Sequence, residues 1–198
     1  MTTHRETVSL RRTVALVALL NLGYFGVEFA VATAIGSVSL FADSIDFLED
    51  TSVNLLILLG LGWSPRARGY LGMVLAAVLL VPGLATLWTA WEKILTPVPP
   101  QAMALSLAGL GALAVNMTCA FMLARYRHHC GSLTKAAWLS ARNDALANLA
   151  IIAAGAVTAF MWSSGWPDLL VGLGIAALNA DAAREVWSAA RREHRAAA

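Results

Sequence analysis

Six long apolar runs, at about 13–35, 37–62, 70–95, 102–124, 133–162 and 167–189, constrain this sequence more than any other feature in it. Each is long enough for a helix to cross the hydrocarbon of a bilayer, which takes roughly 20 apolar residues at ~1.5 Å of rise apiece. A helix also pairs its own backbone polar groups where no water is present to do so. With 59% hydrophobic and 13% charged residues in 198, the chain holds more apolar surface than one soluble core of that size buries. The expected fold class is therefore all-α: a polytopic membrane protein, a six-transmembrane-helix bundle forming a single domain over 1–198.

The breaks fall where such a bundle needs loops. Ser64-Pro65-Arg66-Ala67-Arg68-Gly69, Pro97-Val98-Pro99-Pro100, Arg125-Tyr126-Arg127-His128-His129-Cys130-Gly131 and Ser163-Ser164-Gly165-Trp166-Pro167 separate successive runs, and all are rich in residues that end helices. Pro82-Gly83 lies inside an unbroken apolar run and predicts a kink. Arg11-Arg12 and Ala32-Thr33-Ala34 lend the first run the look of a cleaved secretory signal. The run is longer than the ~7 to 15 residues of a signal core, however, and contains Asn21 and Glu28. Cys119 and Cys130 have neither the spacing of a disulfide framework nor that of a cysteine zinc site.

Charge gives the orientation. Arg5, Arg11, Arg12, Arg66, Arg68, Arg125, Arg127, Lys135, Arg184, Arg191, Arg192 and Arg195 fall on one side of a six-span chain, Lys93 falls on the other, and Arg142 lies within a span. The positive-inside rule then places both termini in the cytoplasm. The net charge of +2 is a topology signal, and nothing in it points to nucleic acid.

Seven acids, Glu28, Asp43, Asp46, Glu49, Asp50, Asp144 and Asp181, fall within the apolar runs at least five residues from either end. Each costs about 2.5 to 3.5 kcal/mol at a helix centre, so they need interior positions, partners or a water-filled path. Asp43, Asp46, Asp50 and Asn54 are three, four and four residues apart and share one face of the second helix, with Glu49 at its edge. Ser140, Asp144 and Asn148, four apart, make a second stripe on the fifth. By residue count Asp46 and Asp50 meet Asp144 and Asn148 near the midplane. Two helices each presenting two oxygen side chains a turn apart can close four ligands around one divalent cation.

The plainer reading is that the polar groups join helices by hydrogen bonds, and it is preferred for Asn21, Asn54, Asn116 and Ser140. Glu28 and Asp43 stand between the two readings. Arg142 is about 200° around its helix from Asp144, so it is expected to reach the interface or pair with Glu28, Glu49 or Asp181. His128, His129 and Cys130 offer zinc-like ligands at the cytoplasmic mouth, although three adjacent residues rarely close one site and a solvated loop is the better reading.

The segment from Gly36-Ser37-Val38-Ser39-Leu40-Phe41-Ala42-Asp43 to Ser44-Ile45-Asp46-Phe47-Leu48-Glu49-Asp50 resembles the second-helix signature of the cation diffusion facilitator family. There a small-residue turn and a leucine-rich run lead to a metal-binding His or Asp followed four residues later by Asp, and Asp46 and Asp50 take those positions. Ser140-Ala141-Arg142-Asn143-Asp144-Ala145-Leu146-Ala147-Asn148 resembles the fifth-helix counterpart, with Asp144 and Asn148 where the family usually has His and Asp. The six-helix plan and Glu28 are also similar. The resemblance implies export of divalent transition metals (zinc, cadmium, cobalt, manganese or iron) from the cytoplasm in exchange for protons, from a cell (inner) membrane. The family's C-terminal cytoplasmic domain has no counterpart after the sixth run, which leaves homodimerisation open.

The expected metal site is Asp46, Asp50, Asp144 and Asn148, with Asp43, Glu49, Glu28, His128 and His129 as accessory candidates. The partners are divalent metal ions, protons and lipid; the metal is cargo, and no cofactor is permanently bound. Two rivals use the same acids: a membrane metalloenzyme activating water, and an accessory membrane subunit in which they serve assembly.

Overall fold

A computed structural model describes the backbone at residues 4–60, 67, 70, 73, 84, 86–124 and 132–196, with side-chain surroundings for most of them. Among these residues regular structure is helical throughout, with no strand: α1 is His4–Ile35, α2 Val38–Gly60, α3 spans 86–95, α4 is Ala102–Ala124, α5 Ser132–Phe160 and α6 Trp166–Ala196. α1 begins before its apolar run and α6 continues beyond its own, since Ala, Arg and Glu, which fill the end of α6, are themselves strong helix formers. The Pro82-Gly83 kink and the loop at 125–131 lie outside the described residues, as does the turn at 64–69 apart from Ala67, which is helical.

Val8–Ile35 and Ala102–Ala124 are long and apolar enough to cross a bilayer, and Asp144–Phe160 and Trp166–Leu178 are shorter apolar lengths within α5 and α6. α2 has the length of α4, 23 residues, but Asp43, Asp46, Glu49 and Asp50 interrupt its hydropathy. Phe160, Phe121, Leu178 and Leu107 stand outward with more than half their surface exposed, as suits side chains facing lipid. Trp88 and Trp91 on α3, with Trp162 after α5 and Trp166 at the start of α6, are exposed at one end of the bundle, where amphipathic indoles mark a membrane interface. That end is called outer below, following the charge asymmetry.

α1 packs on α2 and α4, α2 on α5 and α6, and α4 on α5. Ala32, Leu40, Leu105, Ala108, Ile151 and Ile175 fill the outer core between five helices, while Val17, Cys119, Ala120 and Leu123 close the inner end between α1 and α4. Small residues bring α4 and α5 close: a Cβ on Gly155 would collide with the Ser106 hydroxyl, and such close approach is the main source of association between helices in lipid.

The α1–α2 turn is two residues long. Gly36 adopts φ 64° and the Ser37 amide donates to the Ala32 carbonyl at 3.0 Å, which together end α1 with a left-handed glycine cap. Ser37 then caps α2, its hydroxyl accepting from the Leu40 amide at 3.2 Å. The Val38 and Ser39 amides, also left over at the helix start, donate to the carboxylate of Asp168 in the first turn of α6, at 2.9 and 3.2 Å. The Ser37 and Ser39 hydroxyls donate to the same carboxylate, each at 2.6 Å. Lys93 of α3 lies 3.8 Å from Asp168 and donates to the Gly36 carbonyl. Ala90 of α3 packs on Val38 and Leu169 beside them.

Candidate metal-cation site

The acidic stripe of α2 faces inward. Asp43 is fully buried and Asn54 nearly so, while Asp46, Glu49 and Asp50 are half-buried. On α5, Asp144 is half-buried and Asn148 fully buried. α2 packs directly on α5, and the two stripes share one electrostatic neighbourhood: Asp46 lies within range of Asp144, and Asp144 within range of Asp50, Asp43 and Glu49. Among the described residues, no three His, Cys, Asp or Glu side chains stand close enough together to hold a metal ion. The carboxylates surround a common region without closing on it.

The two asparagines are oriented alike. On α5 the Asn148 side-chain NH2 donates to the Asp144 carbonyl at 2.9 Å, and on α2 the Asn54 NH2 donates to the Asp50 carbonyl at 2.7 Å. Each amide group is thereby anchored one turn back on its own helix, next to an aspartate. Each Oδ1 is left buried with no hydrogen-bond partner. A buried carbonyl oxygen without a donor costs roughly 1–3 kcal/mol, and an amide oxygen so placed can bind a hard or borderline cation. The sequence reading assigned Asn54 to helix joining. The structure instead turns its NH2 back on α2 and gives it the same geometry as Asn148. The repeated Asp-x-x-x-Asn spacing at 50/54 and 144/148 was the available signal.

Asn21 does join helices. Its NH2 donates to Asp50 Oδ2 at 3.4 Å and its Oδ1 accepts from the Cys119 thiol at 3.5 Å, so one side chain ties α1, α2 and α4 at the height of the stripe. The Tyr24 ring packs on Phe47, 5.1 Å between centroids, and its hydroxyl donates to the Ala108 carbonyl at 2.6 Å. Asn116 is buried on α4.

Glu28 and Asp43 reach each other across α1 and α2. Both are fully buried, and none of their four carboxyl oxygens meets a donor group. Two carboxyl groups can bond to one another only through a shared proton. Asp181 is exposed on α6. His128, His129 and Cys130, and the side chains of Ser140 and Arg142, lie outside the described residues. The acid that sequence reasoning missed is Asp168, which a reader of the sequence meets as an ordinary first-turn carboxylate beside a loop.

Residues 14–193 match the cation efflux transmembrane domain, nearly the whole length of the chain. Comparison with curated proteins gives no match.

Proposed function

This chain belongs to the cation efflux family, and from that premise we propose that it exports divalent transition-metal cations from the cytoplasm in exchange for protons, binding each ion between α2 and α5. Members of the family are transporters rather than enzymes, which supports this reading over the metalloenzyme one. The binding residues in this reading are Asp46, Asp50, Asp144 and Asn148, joined by Asn54. The observation that carries it is the pair of buried, partnerless amide oxygens of Asn54 and Asn148, each one turn from an aspartate on facing helices. Helix joining needs donors and acceptors matched. Two free acceptors beside several carboxylates are matched by a cation.

In this reading the ligands close on the ion when it binds, as alternating access requires, since a site that gathers its ligands only around cargo releases it when they part. Metal and protons compete for the same carboxylate oxygens, so protons arriving from outside displace the ion. The shell has oxygen ligands only, which suits manganese or iron relatively better than the imidazole sites zinc favours, while zinc binds more tightly at most sites in the Irving–Williams order. Transport of zinc or cadmium with weak discrimination against manganese, iron and cobalt is the expectation. Liposomes containing only this protein test the proposal: an imposed gradient of Zn²⁺, Cd²⁺ or Mn²⁺ should drive opposite proton flux. Metal-independent flux, or none, would contradict it.

A further inference from the structure

We propose that Asp168 is a positioning residue for cation transport: it fixes the outer end of α2, and through that helix the height and rotation of Asp46 and Asp50. The inference rests on the assignment of those two aspartates to the cation site.

Asp168 belongs to α6 yet completes the start of α2. Its two oxygens take the Val38 and Ser39 amides and the Ser37 and Ser39 hydroxyls, at 2.6 to 3.2 Å. Bonds to an ionised acceptor are the stronger kind, and a negative charge suits the starts of both α2 and α6. Lys93 adds α3 and the Gly36 carbonyl to the same cluster. Asp168 is fully buried and Lys93 is 9% exposed, so water does little to loosen the arrangement. Backbone contact reinforces it, since a Cβ on Gly172 would lie 2.7 Å from the Ser39 nitrogen and the Val38 carbonyl carbon.

Deeper along α2, among the described residues, Asn21 donates to Asp50 at 3.4 Å and the Thr51 hydroxyl to the Ala18 carbonyl at 3.5 Å. The four bonds to Asp168 at the outer end are shorter, at 2.6 to 3.2 Å. Asp46 lies eight residues below Val38, roughly 12 Å along a stiff helix. A shift or rotation allowed at the cap is thus carried down to the carboxylates, and misplacement of about 1 Å is enough to cost a binding or reacting group much of its effect.

The experiment measures Zn²⁺ transport against Zn²⁺ concentration in liposomes for the wild type, Asp168→Ala, Asp168→Asn, Gly172→Ala and Asp50→Ala. Asp168→Ala and Gly172→Ala should raise the apparent KM on the order of tenfold in the protein that inserts and elutes as one species. Asp168→Asn keeps one acceptor oxygen and should raise it less. A role confined to stability would reduce the yield of folded protein and leave KM unchanged in the remainder, which would overturn the proposal. Gly172→Ala retains Asp168 and all its donors, so it decides the matter if Asp168→Ala does not fold. Normal transport by Asp50→Ala would overturn the cation site and the positioning of it together. Loss of transport there, with KM unchanged in the Asp168 and Gly172 variants, would overturn the positioning role alone.

Discussion

At the outer end of the bundle the buried carboxylate of Asp168 takes four hydrogen bonds and faces a lysine, whereas a turn or two deeper Glu28 and Asp43 bury four carboxyl oxygens that meet no donor, followed by the partnerless amide oxygens of Asn54 and Asn148. The composition of the two regions is similar: small residues, acids, serines and asparagines on packed helices. What differs is how fully the oxygens are satisfied. Polar groups that hold a structure together find their partners inside it. Those that serve a passing ion or proton are left open, at a cost in stability that the tight outer network helps to offset.

If that contrast is right, substitutions in the two regions fail in different ways. The largest expected effect is on transport: Asp50→Ala and Asp144→Ala should each lower metal flux more than ~100-fold, beyond what loss of a supporting residue around a metal causes, while helical content and elution volume stay as in the wild type. Flux within a few-fold of the wild type for either variant would break the contrast. Next comes stability. Asp168→Ala strands Lys93 and four donors and should cost ~3–5 kcal/mol, seen as a large fall in the midpoint of thermal unfolding in detergent. Glu28→Met, by comparison, leaves only the Asp43 carboxyl without its neighbour and should cost less, about 1–3 kcal/mol. Equal destabilisation by the two would mean that Glu28 has structural partners beyond Asp43.

Smaller effects sharpen the picture. Asn54→Leu and Asn148→Leu each remove one bond to the residue's own helix, so unfolding should shift by no more than ~1 kcal/mol, yet flux at low metal concentration should fall about tenfold. An unchanged Asn54→Leu would return that residue to helix joining. Smallest is a change in preference. Asp144→His introduces imidazole and should move the zinc-to-manganese transport ratio several-fold toward zinc, measured ion by ion at fixed proton gradient, and an unmoved ratio would take selectivity away from this position.

Helix identity and the inward acidic stripe were legible in the sequence because both depend on local periodicity: apolar runs set the helices, and spacings of three and four aligned Asp43, Asp46, Asp50 and Asn54. The Asp168 network was not legible, for it joins residues some 130 positions apart, and Ser37 and Ser39 read by themselves as turn residues. Nor could spacing tell which way an amide turns. Asn54 and Asn21 both looked like joints between helices, but among the described residues the Asn21 NH2 reaches across to Asp50 while the Asn54 NH2 turns back to a carbonyl of its own helix. The extensions of α1 and α6 escaped hydropathy because helix propensity continues where apolarity stops.

The central claim is that the ion is held by side-chain oxygens between α2 and α5, and X-ray absorption spectroscopy of the Zn²⁺-loaded protein addresses it most directly. Carboxylate and amide ligands predict a first shell of oxygen alone, at about 2.0–2.2 Å, that disappears in both Asp50→Ala and Asp144→Ala. Sulfur at about 2.3 Å or the multiple-scattering pattern of imidazole, persisting in those variants, would place the ion at Cys119 or at His128, His129 and Cys130, and would contradict the account.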